Sequence, residues 1–266
     1  MIISEPAPAK LNLALHVRAK LPDARHAIET LFAFCTDGDR VEGEEADNVT
    51  LDVAGPFADV LGADNLVLTA ANALRQAAQV ERGARLRLIK NLPVASGIGG
   101  GSADAAAALR LLTRLWSVDP AYATAVAPAL GADVPACLLS LTARGEGAGD
   151  KLHLVDDPSI AGTPVLLVNP LAQLSTGAVF TQWDGIDLGP LGDWRAGRND
   201  LEAPARALVP VIGDLLDWLN ARPGATFARM SGSGATCFAL FDDEASRDAA
   251  ADACPEQWWR LATFLR

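Results

Sequence analysis

The sequence has few of the residues that build metal centres and disulfide frameworks. Its 266 residues include three histidines and four cysteines, and no two cysteines form a C-x-x-C pair. Scattered cysteines of this kind are typical of small buried hydrophobic residues, and they indicate neither a disulfide framework nor a zinc site. The three histidines are too few and too far apart in sequence to predict a metal cluster.

Long hydrophobic runs and excess positive charge are also missing. No apolar stretch reaches the roughly 18 residues typical of a transmembrane helix. The first ten residues, MIISEPAPAK, lack a signal-peptide core. The formal net charge of −11 argues against broad binding to nucleic acid or to anionic membranes, since both require a basic surface. We therefore expect a cytoplasmic, soluble protein that binds neither nucleic acid nor membranes, and the sequence leaves its oligomeric state open.

Length and composition predict a globular protein with one large domain or two modest ones. Half of the residues are hydrophobic, which is enough to bury substantial cores. Near residue 150 the chain changes character, and strands then alternate with helices as far as the C-terminus. We predict an N-terminal domain over residues 1–152 and a C-terminal α+β domain of the ferredoxin-like type over residues 153–266.

A glycine cluster lies between a predicted strand and a predicted helix. Four of the five residues from 97 to 101 are glycine. The strand is predicted over residues 86–89 from its alternating apolar and charged residues. The helix is predicted over residues 105–115, with Ser102 as its N-cap and Asp104 in its first turn, where a negative charge favours the helix dipole.

This arrangement predicts a phosphate-binding loop. Glycines beside the start of a helix expose successive backbone N–H groups and let a phosphate come close. The alternative is a loop kept small only for packing. A Walker A loop does not fit, because no lysine lies between Asn91 and Arg110. A dinucleotide fingerprint does not fit either, because Ser102 replaces its third small apolar residue and no second strand ending in an acidic residue follows.

Three polar residues outside the loop are also candidates for chemistry. Lys10 and Asn12 share one face of a predicted strand over residues 9–17, in which apolar and polar residues alternate. The alternative to a functional role is that Lys10 is a solvent-exposed residue at the end of this strand. Asp133 lies among small and apolar residues just after a predicted helix that ends at Gly131. The alternative to a functional role is that Asp133 is an ordinary turn or helix-cap residue.

A further helix precedes the glycine loop. It is predicted to run from residue 66 to about Val80. Asp64 or Asn65 would serve as its cap, since either side chain can accept a hydrogen bond from the first turn.

Four segments, in this order along the chain, resemble the GHMP small-molecule kinases. The second and third are specific when taken together, whereas the fourth alone is not. The resemblance runs from about residue 6 to about residue 241. The segments are PAKLNL at residues 8–13, the run LP through GGGSADAA at residues 92–106, GADVP at residues 131–135 and SGSGA at residues 231–235.

The resemblance implies an α+β fold of two domains, with the active site in the cleft between them. Asp133 matches the family's catalytic aspartate and Lys10 its partner lysine. ATP and Mg²⁺ are the implied cofactors, and the metal ligands stay unassigned. The implied nucleotide-binding residues are Asn65, near the adenine end, and the loop residues Pro93, Val94, Ala95, Ser96, Gly97, Ile98, Gly99, Gly100, Gly101, Ser102 and Ala103.

Within the family, the motifs are most similar to the branch that phosphorylates 4-diphosphocytidyl-2-C-methyl-D-erythritol, an isoprenoid precursor. The family usually has Gly-Tyr-His at the cytosine site, where the tyrosine ring stacks on the base, but this chain has Ala24-Arg25-His26. A guanidinium plane also stacks on bases, so Arg25 is compatible with a cytosine site. The residues implied for the substrate are Asn12, Arg25, His26, Thr176 and Phe180.

Other functions stay open on the sequence alone. A sibling kinase acting on homoserine, mevalonate or a sugar would use the same motifs. A nucleotide sensor that does no chemistry could use the same scaffold, although such a protein would need neither Lys10 nor Asp133. A dehydrogenase ranks third.

Overall fold

The structure is a computed structural model that describes residues 1–62 and 65–266. Asp64, one of the two predicted helix caps, lies outside the described residues. The strands are β1 (Ile3–Lys20), β2 (His26–Ala46), β3 (Thr50–Ala54), β4 (Gly83–Ile89), β5 (Ala143–Glu146), β6 (Lys151–Leu154), β7 (Pro164–Asn169), β8 (Ala225–Met230), β9 (Cys237–Phe241) and β10 (Trp259–Phe264). The helices are α1 (Leu66–Ala77), α2 (Gly100–Leu115), α3 (Pro120–Leu130), α4 (Val134–Leu139), α5 (Thr176–Thr181), α6 (Glu202–Leu208), α7 (Val211–Asn220) and α8 (Glu244–Asp252). Within these ranges, no helix is both long enough and apolar enough to span a bilayer.

The chain forms two compact units. Unit 1 comprises Met1–Ala9, Asp37–Val94 and Gly99–Ser140, and unit 2 comprises Lys10–Thr36, Ala95–Ile98 and Leu141–Arg266. Strands β1 and β2 and the glycine loop therefore contribute residues to both units. The predicted division at residue 152 stays a prediction, since each unit is assembled from segments that are interleaved along the chain.

Unit 1 packs a small sheet with four helices. The second half of β2 is antiparallel to β4, with Arg40 opposite Ile89, and β3 is parallel to β4. Helix α2 is the central helix, and α1, α3 and α4 all contact it. Its alanine-rich sequence fits this position, since small side chains let neighbouring helices come close. The predicted strand, loop and helix are confirmed here as β4, the glycine segment and α2.

Unit 2 is built on an antiparallel sheet with the strand order β10-β7-β9-β8. Strand β7 is central in this sheet, and its residues from Val165 to Asn169 are all buried. Helices α7 and α8 pack on this sheet. Helix α7 contributes Ile212, Leu215 and Leu219 to the hydrophobic core. The predicted alternation of strands and helices in this half, and the α+β class, are confirmed.

The strand that carries Lys10 is longer and more buried than the sequence pattern predicts. Residues 7–17 of β1 are all buried, so the polar face of the alternating pattern is not a solvent face. Lys10 is 3% exposed, so the interpretation of Lys10 as a solvated strand end is wrong. In unit 2 the segment around residue 198 hydrogen-bonds to β1, because Leu15 donates its N–H to the carbonyl of Arg198. Tertiary packing of this kind overrides the local pattern.

Helix α2 begins earlier than predicted. Gly99 occupies the N-cap position with φ +66°, a left-handed conformation that glycine adopts without steric cost, and Gly100 is the first helical residue. Ser102 as the N-cap is therefore wrong. Asp104 lies one turn further into the helix than predicted and is buried, so it does not act on an exposed helix end.

Asp104 is instead part of a buried charge cluster in unit 1. Lys90 donates hydrogen bonds from Nζ to Asp39 and, at 2.8 Å, to Oδ2 of Asp104. The other carboxylate oxygen of Asp104 is buried without a hydrogen-bond partner. Burial raises the pKa of Asp104 from 3.8 to about 8, because the lowering effect of Lys90 is weaker than the cost of burying the charge, and Asp39 raises the pKa further.

This pKa predicts a pH-dependent contribution to stability. Between pH 3.8 and about 8 the folded protein retains a proton on Asp104 that the unfolded chain releases. The free energy of unfolding contributed by this group therefore falls as pH rises through that window. We expect Asp104→Asn, which resembles the protonated carboxyl, to lose less stability than the wild type between about pH 5 and about pH 8 in thermal unfolding. Parallel pH profiles for the two proteins would contradict the proposed protonation.

Candidate functional site

The first part of the glycine loop is held through its carbonyl groups in unit 2. The Lys10 N–H donates to the carbonyl of Ile98 at 2.9 Å, and the Thr236 N–H donates to that of Ser96 at 3.1 Å. Between them, the Ser231 hydroxyl donates to the carbonyl of Gly97 at 3.0 Å. Three consecutive loop residues are thus fixed by β1 and by the turn between β8 and β9, which defines the path of the backbone.

Gly97 is required by both conformation and space. Its φ is +78°, and a Cβ atom there would lie 2.5 Å from the carbonyl oxygen of Ser231 and 2.6 Å from that of Gly234. Neither neighbour is a flexible side-chain end, so the backbone itself would have to move. The close approach of the two glycine segments therefore depends on the missing side chain.

The second part of the loop leads into the start of α2 in unit 1. Gly101 is exposed, while Gly99 and Ser102 are partly so. The first N–H groups of a helix have no partner inside the helix and carry the positive end of its dipole. The segment that begins with Gly100 therefore offers the donors that an anionic phosphate requires.

Lys10 belongs to a buried hydrogen-bond network on β1. Its Nζ donates to Oδ1 of Asn12 at 2.8 Å, and Asn12 donates from Nδ2 to the Thr30 hydroxyl at 2.8 Å. The Asn12 N–H also donates to the Ser231 hydroxyl at 3.1 Å, the same hydroxyl that reaches the glycine loop. The network fixes the position of the Lys10 ammonium group relative to the loop within unit 2.

An aromatic cluster forms a second site in unit 2. The His26 ring stacks on Phe180 with 4.6 Å between ring centroids, and Trp183 meets His26 edge-on at 5.6 Å. Burial lowers the pKa of His26, and the nearby charge of Lys20 lowers it further, so the ring is neutral at pH 7. Thr176, at the start of the helix that carries Phe180, shares a 2.9 Å hydrogen bond with Ser233. A neutral imidazole among aromatic rings is suited to a planar polar ligand.

Arg25 lies next to this aromatic cluster in sequence but has a different partner. Its side chain is exposed and forms a 2.8 Å ion pair with Asp23 in the turn before β2. The hydrogen bonds from Arg25 lower the pKa of Asp23. The stacking role suggested for Arg25 stays a prediction.

Two predicted site residues lie at helix starts in unit 1. The Asn65 side chain accepts a 2.9 Å hydrogen bond from the Val67 N–H and caps α1, as predicted. Asp133 is at the N-cap position of α4, but its side chain makes no capping hydrogen bond. Asp133 lies in the turn before α4, which agrees with the alternative of a turn residue, and it is partly buried.

Two protein-family models match separate segments of this chain. The model described as "GHMP kinases N terminal domain" matches residues 65–140, which include the glycine loop and Asp133. The model described as "GHMP kinases C terminal" matches residues 184–259. The chain belongs to the GHMP kinase family.

Individual relatives of this GHMP kinase match it over nearly its whole length. A 4-diphosphocytidyl-2-C-methyl-D-erythritol kinase from Rhizorhabdus wittichii is 53% identical, with 99% of this chain and 94% of the relative covered. A protein of the same name from Sphingopyxis alaskensis is 51% identical, with coverages of 97% and 96%. A crystal structure of 4-(cytidine 5'-diphospho)-2C-methyl-D-erythritol kinase has a TM-score of 0.85 and 32% identity, with 99% of each chain covered.

Sequence patterns do not indicate several residues that contact the predicted site residues of this GHMP kinase. Thr30, Ser231 and Thr236 hold Asn12 and the glycine loop, and Trp183 completes the aromatic cluster. The SGSGA motif contains Ser231, but a glycine turn alone is a weak signal. Lys10 and Asp133 belong to different units, and their predicted pairing stays a prediction.

A matched pair of glycine substitutions tests how the loop is held. We expect Gly97→Ala to lower the free energy of unfolding by about 1–3 kcal/mol, because the new methyl group meets two carbonyl oxygens. Gly101→Ala is the control, since its Cβ would meet nothing within 4 Å. In the first turn of α2 it should stabilise the protein by up to about 1 kcal/mol. Equal urea midpoints for the two variants would contradict this description.

Proposed function

We propose that this GHMP kinase transfers the γ-phosphoryl group of ATP to a hydroxyl of 4-diphosphocytidyl-2-C-methyl-D-erythritol, giving the 2-phosphate. The product would enter the non-mevalonate route to isoprenoid precursors in the cytoplasm. The observation that carries the proposal is identity of about half of all residues, over nearly the full chain, to relatives named for this substrate. Identity at this level extends to both family domains and is not confined to the nucleotide loop.

The glycine loop supports ATP as the phosphoryl donor. Phosphoryl transfer requires precise placement of the attacking hydroxyl and neutralisation of charge on the phosphoryl oxygens. A loop without a Walker lysine can supply that neutralisation through backbone N–H groups and the dipole of α2. The hydrogen bonds of Ser96, Gly97 and Ile98 support this role, because they hold the loop in place before any nucleotide arrives.

Lys10 and Asp133 are proposed as the catalytic residues. Asp133 would accept the proton of the attacking hydroxyl, and its partly buried position beside small residues leaves room for a substrate. Lys10 would stabilise negative charge near the attacking oxygen. The hydrogen bond from Lys10 to Asn12 supports a fixed rather than a mobile ammonium group.

The aromatic cluster is proposed to bind the cytosine base. A stacked ring such as Phe180 suits the face of the base, and neutral His26 can hydrogen-bond to its edge. Asn12, Arg25 and Thr176 would complete the substrate site.

Magnesium is proposed to accompany ATP. Among the described residues, no group of three histidine, cysteine or carboxylate side chains is placed to hold a metal ion. Mg²⁺ does not require such a group, since it commonly binds through substrate phosphates, water and only one or two carboxylates. When bound, the ion would neutralise charge on the triphosphate oxygens.

A coupled ADP-release assay tests the proposed function. Mg-ATP would be combined in parallel with 4-diphosphocytidyl-2-C-methyl-D-erythritol, homoserine and mevalonate. We expect rapid ADP release with the cytidine compound alone. Turnover of homoserine or mevalonate instead would keep a GHMP kinase but overturn the cytosine site. Binding of ATP without turnover of any of the three would favour a nucleotide sensor.

Removal of the Asp133 carboxylate tests the proposed base. We expect Asp133→Ala to lower kcat at least about 100-fold, because the hydroxyl proton loses its acceptor. Nucleotide affinity and thermal stability should change little, and both would be measured on the same preparation. The control is Asp52→Ala, which removes a carboxylate whose side chain is 76% exposed, also in unit 1. Near-normal turnover in a folded Asp133→Ala enzyme would exclude Asp133 as the base.

A further inference from the structure

The buried charge cluster in unit 1 has no place in the chemistry proposed so far. Lys90, Asp39 and Asp104 are 1%, 3% and 3% exposed, respectively. Lys90 directly follows β4, Asp39 lies on β2, and Asp104 lies on α2. In the alternating pattern of the strand before the glycine loop, Lys90 is one of the charged residues, yet its side chain is buried.

Stability alone is a poor reason for such a cluster. Removing charges from water costs several kcal/mol per ion, and buried ion pairs can often be replaced by apolar residues without loss of stability. Burial lowers the pKa of Lys90, but the interactions with Asp104 and Asp39 outweigh this effect, and the net pKa is raised. The ammonium group is therefore retained as a cation inside the protein.

Asp39 fixes the chain where it leaves β4 and enters the loop. Its Oδ1 accepts hydrogen bonds from the N–H groups of Asn91, at 2.6 Å, and Leu92, at 2.8 Å. The Asn91 side chain adds a 3.1 Å hydrogen bond to the carbonyl of Gly38. These contacts hold the two residues that directly precede Pro93.

Lys90 and Asp104 fix the other end of the loop. Asp104 is one turn into α2, and the hydrogen bond that it accepts from Lys90 ties the helix to the residue that follows β4. A Cβ atom on Gly100 would lie 3.0 Å from Lys90 Nζ and 3.7 Å from Asp39 Oδ2. The ammonium group therefore packs directly against the first residue of α2, where the proposed phosphate-binding N–H groups begin.

We propose that Lys90 is a positioning residue for nucleotide binding, which links both ends of the phosphate loop. This inference rests on the proposed use of the loop for ATP. Lys90 acts through the backbone that it holds, from a buried position, and not as a charge in contact with the phosphates as a Walker lysine does. With Asp104 protonated, the charges of Lys90 and Asp39 balance.

Lys90→Met tests the proposal, because it keeps the length of the side chain and removes its charge. We expect KM for ATP and Kd for Mg-ADP, measured by calorimetry, to rise about 10- to 100-fold, the loss typical of a misplaced binding group. KM for the cytidine substrate should change little, since its proposed residues are elsewhere. Arg87→Met is the matched control, three residues earlier on β4, where the charge is 55% exposed, and it should leave both nucleotide constants unchanged.

A second variant covers the case in which Lys90→Met fails to fold because Asp39 is left as an unpaired buried charge. Asp39→Asn combined with Lys90→Met removes both charges and keeps an oxygen acceptor for the two N–H groups. We expect this folded double variant to bind Mg-ADP weakly as well. A wild-type Kd for Mg-ADP in either folded variant would overturn the proposal and reduce Lys90 to a structural residue.

The two readouts separate this inference from the proposed function. Mg-ADP binding needs no acceptor substrate. Weakened Mg-ADP binding by the Lys90 variants would support the inference even if the wild type phosphorylated none of the acceptors tested. Normal turnover of the cytidine compound together with unchanged Mg-ADP binding would overturn the inference alone.

Discussion

A phosphate loop that has no lysine depends on the placement of its backbone. Backbone N–H groups attract phosphate only when they converge, and a glycine-rich segment has many conformations in which they do not. The protein therefore has to hold the loop from outside, with groups that approach its main chain closely. The hydrogen bonds to the carbonyls of Ser96, Gly97 and Ile98 meet this requirement in unit 2. The contacts of Asp39 and Lys90 meet it in unit 1.

The same contacts explain why glycine is needed at particular positions and not throughout the loop. Gly97 combines a left-handed backbone with carbonyl oxygens at the place of its missing side chain, and Gly99 starts the helix from a left-handed conformation. Gly101, by contrast, has open space around it. The cluster of glycines thus contains residues with different roles: some allow close packing, and one leaves the helix start open to a ligand.

Local patterns in the sequence predict much of the fold. The glycine cluster between a strand and a helix, the cap at Asn65, and the helix that ends at Gly131 all follow from neighbouring residues, and the structure confirms them. The predicted start of α2 is wrong because a left-handed glycine and a serine can both precede a helix, and local propensity does not distinguish them.

What local patterns cannot predict is burial by distant parts of the chain. Lys10 and Lys90 resemble surface charges on alternating strands, yet both are buried by elements far away in sequence. Asn12 and Ser231 are 219 residues apart and hydrogen-bond to each other, and nothing in either neighbourhood indicates it. The aromatic partner Trp183 escapes prediction for the same reason, since a single tryptophan after a short helix has no periodic pattern.

The most direct test of this account is hydrogen exchange at the backbone amides of residues 97–103, with and without Mg-ADP. If these N–H groups bind the phosphates, the nucleotide should slow their exchange strongly, while amides of the antiparallel sheet of unit 2, such as those of β7, should change little. Unchanged exchange across the loop at saturating nucleotide would contradict the central claim and place the phosphates elsewhere on the protein.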